Sequence, residues 1–130
     1  MQEILFIGLG GFLGACLRFV ITKLTAGWVI FVPSGTLLAN VIACFFIGFI
    51  VGLDRNSTLI PAAFKKPLTV GLLGGLSTFS AFSMETIDLF KADKALFGIS
   101  NISLNLGLSL ISVLVGLVAA KALINSLFFT

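Results

Sequence analysis

Four long apolar stretches divide the chain, and most charged residues fall between them or at their ends. Residues 4–21 are apolar apart from Arg18, and residues 35–53 carry no charge at all. The fourth stretch is free of charge from residue 95 until Lys121. Each is close to the roughly 20 apolar residues that an α-helix needs to cross a bilayer. The third stretch, residues 68–90, has a different texture. Gly71, Gly74 and Gly75 crowd its first half, and Ser77, Thr78, Ser80 and Ser83 its second. Glycines and hydroxyls in the middle of an apolar run predict a helix broken at membrane depth, which is tolerated where the backbone is buried or lines a cavity. The pattern therefore predicts a single all-α transmembrane domain over residues 1–130, with spans at about 4–21, 35–53, 68–90 and 97–120. Trp28, between the first two spans, suits the headgroup boundary.

Composition narrows the class. Hydrophobic residues make up 58% of the 130 positions and charged residues 10%, too apolar for a soluble domain and too short for four spans plus a separate catalytic unit. Met1 to Glu3 hold no Lys or Arg and no cleavage site follows, so the first span is expected to remain in the mature protein. There is no His, and Cys16 and Cys44 match no metal or redox spacing. They read as small core residues, and an enzyme is not expected. Small residues recur four apart at Gly10 and Gly14, Gly11 and Ala15, Gly48 and Gly52, Gly71 and Gly75, and Gly116 and Ala120. This spacing lets helix backbones approach closely in lipid and predicts a compact bundle.

Four spans put the amino terminus, the middle loop and the carboxyl terminus on one side. Arg55, Lys65, Lys66 and Lys121 then lie there, against Arg18, Lys23, Lys91 and Lys94 on the other. No excess of cations remains to set an orientation. Unless so few charges balance by chance, the chain inserts both ways, and opposite copies can pair as an antiparallel twofold dimer.

Polar residues inside the spans mark either a pathway or a contact between helices. Asn40 is neutral and can donate two hydrogen bonds, which suits an anion shedding water and equally suits interhelical bonding. Phe79 and Phe82, three apart, share a helix face. Their positive ring edges can meet an anion, or the rings can simply pack. Asn101, Asn105 and Ser109 are spaced by four and stack along one helix face, as a water- or ion-lined track or as a hydrogen-bonded seam.

Three of these segments together resemble one family. Gly10-Gly11-Phe12-Leu13-Gly14-Ala15 with Arg18-Phe19, Gly35-Thr36-Leu37 with Asn40, and Gly74-Gly75-Leu76-Ser77-Thr78-Phe79-Ser80-Ala81-Phe82 with Glu85 are similar in order and spacing to the Fluc/CrcB fluoride channels of bacteria. The resemblance covers three of the four spans. It implies a dual-topology homodimer in the cytoplasmic (inner) membrane that exports fluoride passively through two antiparallel pores and relieves fluoride toxicity. It also implies a structural sodium ion (Na+) at the dimer centre. By position, Asn40, Phe79, Ser80 and Phe82, with Asn101, Asn105 and Ser109, would form the fluoride pathway. Gly74 and Ser77 would offer backbone carbonyls to sodium, and Arg18 and Glu85 would serve structure or a vestibule.

The chain departs from the family pattern in places. Ala43 and Cys44 replace a Gly-Ser pair after Asn40. Ser77 and Ala81 stand where threonines are usual, and Asn101 and Asn105 where a Tyr and a Ser are usual. Ser77 keeps its carbonyl, whereas Ala81 removes a hydroxyl from the third span. Two other classes fit a short four-helix membrane protein. A dual-topology multidrug-type exporter needs an acid at mid-membrane, whereas Glu3 lies at the start of the chain and Glu85 towards the end of the third span. A noncatalytic assembly subunit would account for the small-residue pairs but not for a broken helix followed by paired phenylalanines.

Overall fold

The computed structural model describes residues 1–28, 32–57 and 59–128. Among them the secondary structure is helical throughout: α1 (Gln2–Leu24), α2 (Ser34–Asn56), α3 (Ala62–Lys66), a π-helical stretch (Pro67–Leu73), α4 (Gly74–Leu76), α5 (Phe79–Lys91) and α6 (Ala95–Phe128). Four stretches are long and apolar enough to cross a membrane: Gln2–Leu24, Ser34–Arg55, Ala62–Lys91 and Ala95–Phe128. The helices run past the apolar segments because end residues such as Lys23 and Arg55 continue the backbone ladder. At 34 residues, α6 is about 50 Å long. That exceeds a hydrocarbon layer of roughly 30 Å, so the helix tilts or projects beyond it.

The connections are held by short-range bonds. Thr25 Oγ1 donates to the Ile21 carbonyl at 2.7 Å, and Ser34 Oγ donates to the Thr25 carbonyl at 2.6 Å, drawing the start of α2 against the end of α1. Between α5 and α6 the turn is tight. Asp93 adopts a left-handed φ of 57°, which a short polar side chain tolerates better than most, and the Lys94 amide reaches back to the Leu89 carbonyl at 3.0 Å. At the opposite end Lys65 pairs with Asp54, and Lys66 with Glu3 at 2.9 Å. These partly exposed pairs contribute about 1 kcal/mol or less each, but they show that the amino terminus and the middle loop share one end of the bundle.

Lipid supplies no hydrophobic drive between helices, so contact depends on how closely their backbones fit. The small-residue pairs meet one another. A Cβ on Gly48 would collide with the Val113 carbonyl, one on Gly116 with the Phe45 carbonyl, and one on Gly52 would lie 2.7 Å from Ala120 Cβ. These approaches lock α2 to α6. On the other side of the bundle, a Cβ on Gly75 would sit 2.6 Å from the Gly11 carbonyl, one on Gly71 equally close to the Ile7 carbonyl, and one on Gly14 would strike the Leu72 carbonyl. These lock α1 to the third span. Ala39, Ala43, Leu73 and Leu76 fill the space between, with Ile21, Ile42, Ile47 and Ile50 around them.

The outside is apolar. Phe6, Phe12 and Phe19 of α1 and Leu110, Leu114 and Val118 of α6 are all exposed, as a surface facing lipid or another copy requires. Cys16, expected in the core, lies on this exposed face of α1, while Cys44 is half-buried. An apolar solvent removes the penalty that would drive such a thiol inward.

Substituting Val at Gly48 or Gly116 should destabilise the purified protein by about 1–3 kcal/mol or prevent folding. Gly107, whose added Cβ would meet nothing within 4 Å, should accept Ala without loss. Thermal unfolding in detergent measures both, and equal behaviour of the three variants would contradict the packing described.

Candidate functional site

Helical backbone stops at Leu76 and resumes at Phe79. Between them Ser77 (φ −73°, ψ 152°) and Thr78 (φ −151°, ψ 118°) are extended. Two side chains hold this conformation. Asn40 Oδ1, from α2, accepts the Thr78 N–H at 2.8 Å, and Thr78 Oγ1 accepts the Ala81 N–H at 3.2 Å as the amino-terminal cap of α5. In an unbroken helix these two amides would serve the carbonyls four residues earlier, those of Gly74 and Ser77. Both carbonyls are thereby released from their helical donors.

The Thr78 N–H also sets the direction of a longer hydrogen-bond chain. Because Asn40 Oδ1 faces that donor, Asn40 Nδ2 must face acceptors, and it donates to Asn105 Oδ1 at 3.0 Å and the Thr78 carbonyl at 3.3 Å. Asn105 Nδ2 then donates to Asn101 Oδ1 at 2.9 Å and to the Asn101 carbonyl at 3.2 Å. Asn101 Nδ2 donates to Thr86 Oγ1 at 2.9 Å, and Thr86 Oγ1 to the Phe82 carbonyl at 2.8 Å. Three amides and a hydroxyl thus run in one direction between α2, α6 and α5, all of them buried.

Beside this chain opens a cleft of about 280 Å³ lined by Asn40, Phe79, Phe82, Asn105 and Ser109, together with Ser77, Thr78 and Cys44. The rings of Phe79 and Phe82 lie 5.4 Å apart, centre to centre, at an angle of 60°. Phe82 is buried and Phe79 is 73% exposed, so the outer ring stands at the mouth. Among the described residues, the Ser77 and Ser109 hydroxyls make no hydrogen bond within the chain.

The structure brings five of the seven expected pathway residues to one cleft. Asn101, fully buried, sits behind it as the link between Asn105 and Thr86, because α5 packs against α6 at that level. Ser80 is exposed, with its hydroxyl 3.2 Å from Thr78 Oγ1. Gly74 and Ser77 border a smaller neighbouring cavity of about 90 Å³ with Ala43 and Cys44. Arg18 is half-buried on α1 and lines neither space. Glu85 accepts a hydrogen bond from Thr36 Oγ1 at 2.5 Å beside a second cleft of about 360 Å³. Its hydrogen-bond partner is therefore the Thr36 hydroxyl of α2.

Two members of the network were not singled out from sequence. Thr78 carries the signature of a helix cap, a hydroxyl residue three positions before Ala81 at a helix start. Thr86 follows Phe82 by four and so shares its face.

Comparison with known proteins now bears on this arrangement. Residues 5–117 match the family described as CrcB-like protein, Camphor Resistance (CrcB). The chain belongs to the CrcB family. Curated CrcB relatives include a protein of Clostridium perfringens, 46% identical over 127 residues, which cover 95% of this chain and 99% of that one. Another, from Clostridium novyi, is 43% identical over 118 residues, covering 90% and 92%. A third, from Aeromonas salmonicida, is 40% identical over 118 residues, covering 90% and 94%. Each bears the name fluoride-specific ion channel FluC, so the relatives are channels and not enzymes. With its four apolar helices, this CrcB member is a multi-pass protein of the bacterial cytoplasmic membrane.

If Asn40 and Asn105 are joined as described, their stability effects will not add. Replacing each by Ala, singly and together, should give a coupling of about 0.5–3 kcal/mol in a double-mutant cycle of thermal unfolding. Simple additivity would show that the bond between them is not formed.

Proposed function

We propose that this chain is a fluoride-selective channel that lets fluoride leave the cell passively and so relieves its toxicity. The observation that carries this reading is the cleft at the extended residues, where two phenylalanines converge with neutral donors and no charged side chain. The naming of close relatives as fluoride-specific channels supports it. Fluoride is small and strongly hydrated, so a selective path must replace its water without holding it too tightly to leave. The Ser77 and Ser109 hydroxyls are uncommitted donors. Asn40 Nδ2 offers a hydrogen by giving up its 3.3 Å contact with the Thr78 carbonyl. The tilted rings of Phe79 and Phe82 can present positive edges without contributing a trapping charge.

Two copies inserted in opposite directions would pair and provide two such pathways. The even division of eight cations between the two sides supports this, as does the broad apolar exterior. A sodium ion would bind at the carbonyls of Gly74 and Ser77. Both are relieved of their helical donors, and hard cations favour oxygen ligands. Among the described residues no group of three acidic, His or Cys side chains gathers, which suits a monovalent ion. When bound, that ion supplies a fixed positive charge that ties the carbonyls together.

Proteoliposomes holding the purified protein should release fluoride far faster than chloride, and release at the rate of protein-free vesicles would overturn the channel reading. Phe82→Ile keeps apolar bulk but loses the ring edge. It should slow fluoride release roughly five- to tenfold, equivalent to about 1–1.5 kcal/mol, while eluting from size exclusion like the parent.

Dual insertion has its own test. Adding two or three Lys beside Lys65 should bias the chain to one orientation and lower activity until an oppositely biased copy is supplied. Single cysteines placed in that loop, without Cys16 and Cys44, report which side it occupies. Labelling of the unbiased parent from one side only would rule dual insertion out.

A further inference from the structure

Asn40 and Thr78 stand at the head of the buried network, and each diverts one amide from the helical ladder. Asn40 Oδ1 takes the N–H of Thr78, which helical geometry assigns to the Gly74 carbonyl. Thr78 Oγ1 takes the N–H of Ala81, which the same geometry assigns to the Ser77 carbonyl. The two carbonyls released are the two that the sodium reading needs. We infer that Asn40 and Thr78 are positioning residues for a cation site, using side-chain acceptors to keep the Gly74 and Ser77 carbonyl oxygens free for a monovalent cation. The inference rests on the sodium reading above.

The physical argument is one of competition. Thr78 is only 7% exposed and Asn40 only 8%, so a Thr78 N–H deprived of Asn40 is poorly served by water. A buried donor left without an acceptor is unfavourable, and the nearest backbone remedy is to re-form the helical bond to the Gly74 carbonyl. That oxygen would then be occupied. Loss of the Thr78 hydroxyl does the same for the Ser77 carbonyl through the Ala81 amide. Asn40 thus acts on the cation site through Thr78, while also lining the fluoride cleft, so the two sites share one residue. Fluoride flux alone cannot separate these roles, and the test must read the cation directly.

The full-length protein, purified in detergent, should be titrated with sodium chloride against N-methylglucamine chloride at constant ionic strength, with thermal unfolding as the readout. The parent should gain stability with sodium. Asn40→Leu and Thr78→Val should each need about tenfold more sodium for half of that gain, the scale of one hydrogen bond. Thr78→Ser, which keeps the capping hydroxyl, should titrate like the parent, a rescue that a general packing role would not produce. If Asn40→Leu fails to fold, the contrast of Thr78→Val with Thr78→Ser decides. Folded variants that titrate at the parent's midpoint would overturn the inference while leaving the sodium reading intact. A parent whose stability ignores sodium would remove the sodium reading, and the inference with it.

Discussion

A single hydrogen bond, from the Thr78 N–H to Asn40 Oδ1, constrains more of this structure than any other contact. An amide side chain has two ends that differ in hydrogen-bonding character, and only one can face a backbone donor. Once Asn40 turns its oxygen to Thr78, its nitrogen must meet the oxygen of Asn105. Asn105 must then donate to Asn101, and Asn101 to Thr86. The polarity of four residues on three helices follows from one backbone N–H. A network satisfied in this way is rigid, because reversing any member would set two acceptors or two donors against each other in a buried space.

That bond exists only because the helices come close enough to make it. Asn40 lies two turns before Gly48 on α2, and Asn105 eleven residues before Gly116 on α6. The collision-close packing at Gly48 and Gly116 fixes the registry of these helices and so brings the two asparagines to 3.0 Å. Ser112 adds a second tie by donating to the Val41 carbonyl at 2.9 Å. The corresponding contact of α1 with the third span holds Leu72 and Gly75, just before the extended residues. In a membrane, where burial of apolar surface does little to bring helices together, small residues take over that task. The polar network then makes the arrangement specific.

The cleft shows a division of labour among its polar groups. The asparagine amides are bonded within the protein, whereas the Ser77 and Ser109 hydroxyls are not. Rotatable hydroxyls, aromatic rings and rigid amides thus line one cleft. The departures from the family pattern at Asn101 and Asn105 acquire a meaning in this light. A phenol and a hydroxyl at those positions could not form the same directed run of amides. In this chain the two asparagines form an internal seam, with Asn101 fully buried and outside the cleft lining.

Much of this was legible in the residues before any coordinates. Apolar stretches of sufficient length announce membrane helices because a bilayer allows few other solutions, and the motif from Gly74 to Phe82 pointed to the family. Spacing by four revealed the small-residue pairs, since it depends only on helical periodicity. It could not show that Gly48, Gly52, Gly116 and Ala120 bring α2 against α6 while Gly10 and Gly14 meet Gly71 and Gly75, because partnership across helices is a property of the folded bundle. Likewise the sequence by itself left Asn40, Asn101 and Asn105 open between pathway and seam, as their chemistry suits both. Tertiary structure decided where each amide points, moved Asn101 behind the cleft, and brought in Thr78 and Thr86. The reason is that a hydrogen bond depends on the position of its partner, and those partners lie as many as 65 residues apart along the chain.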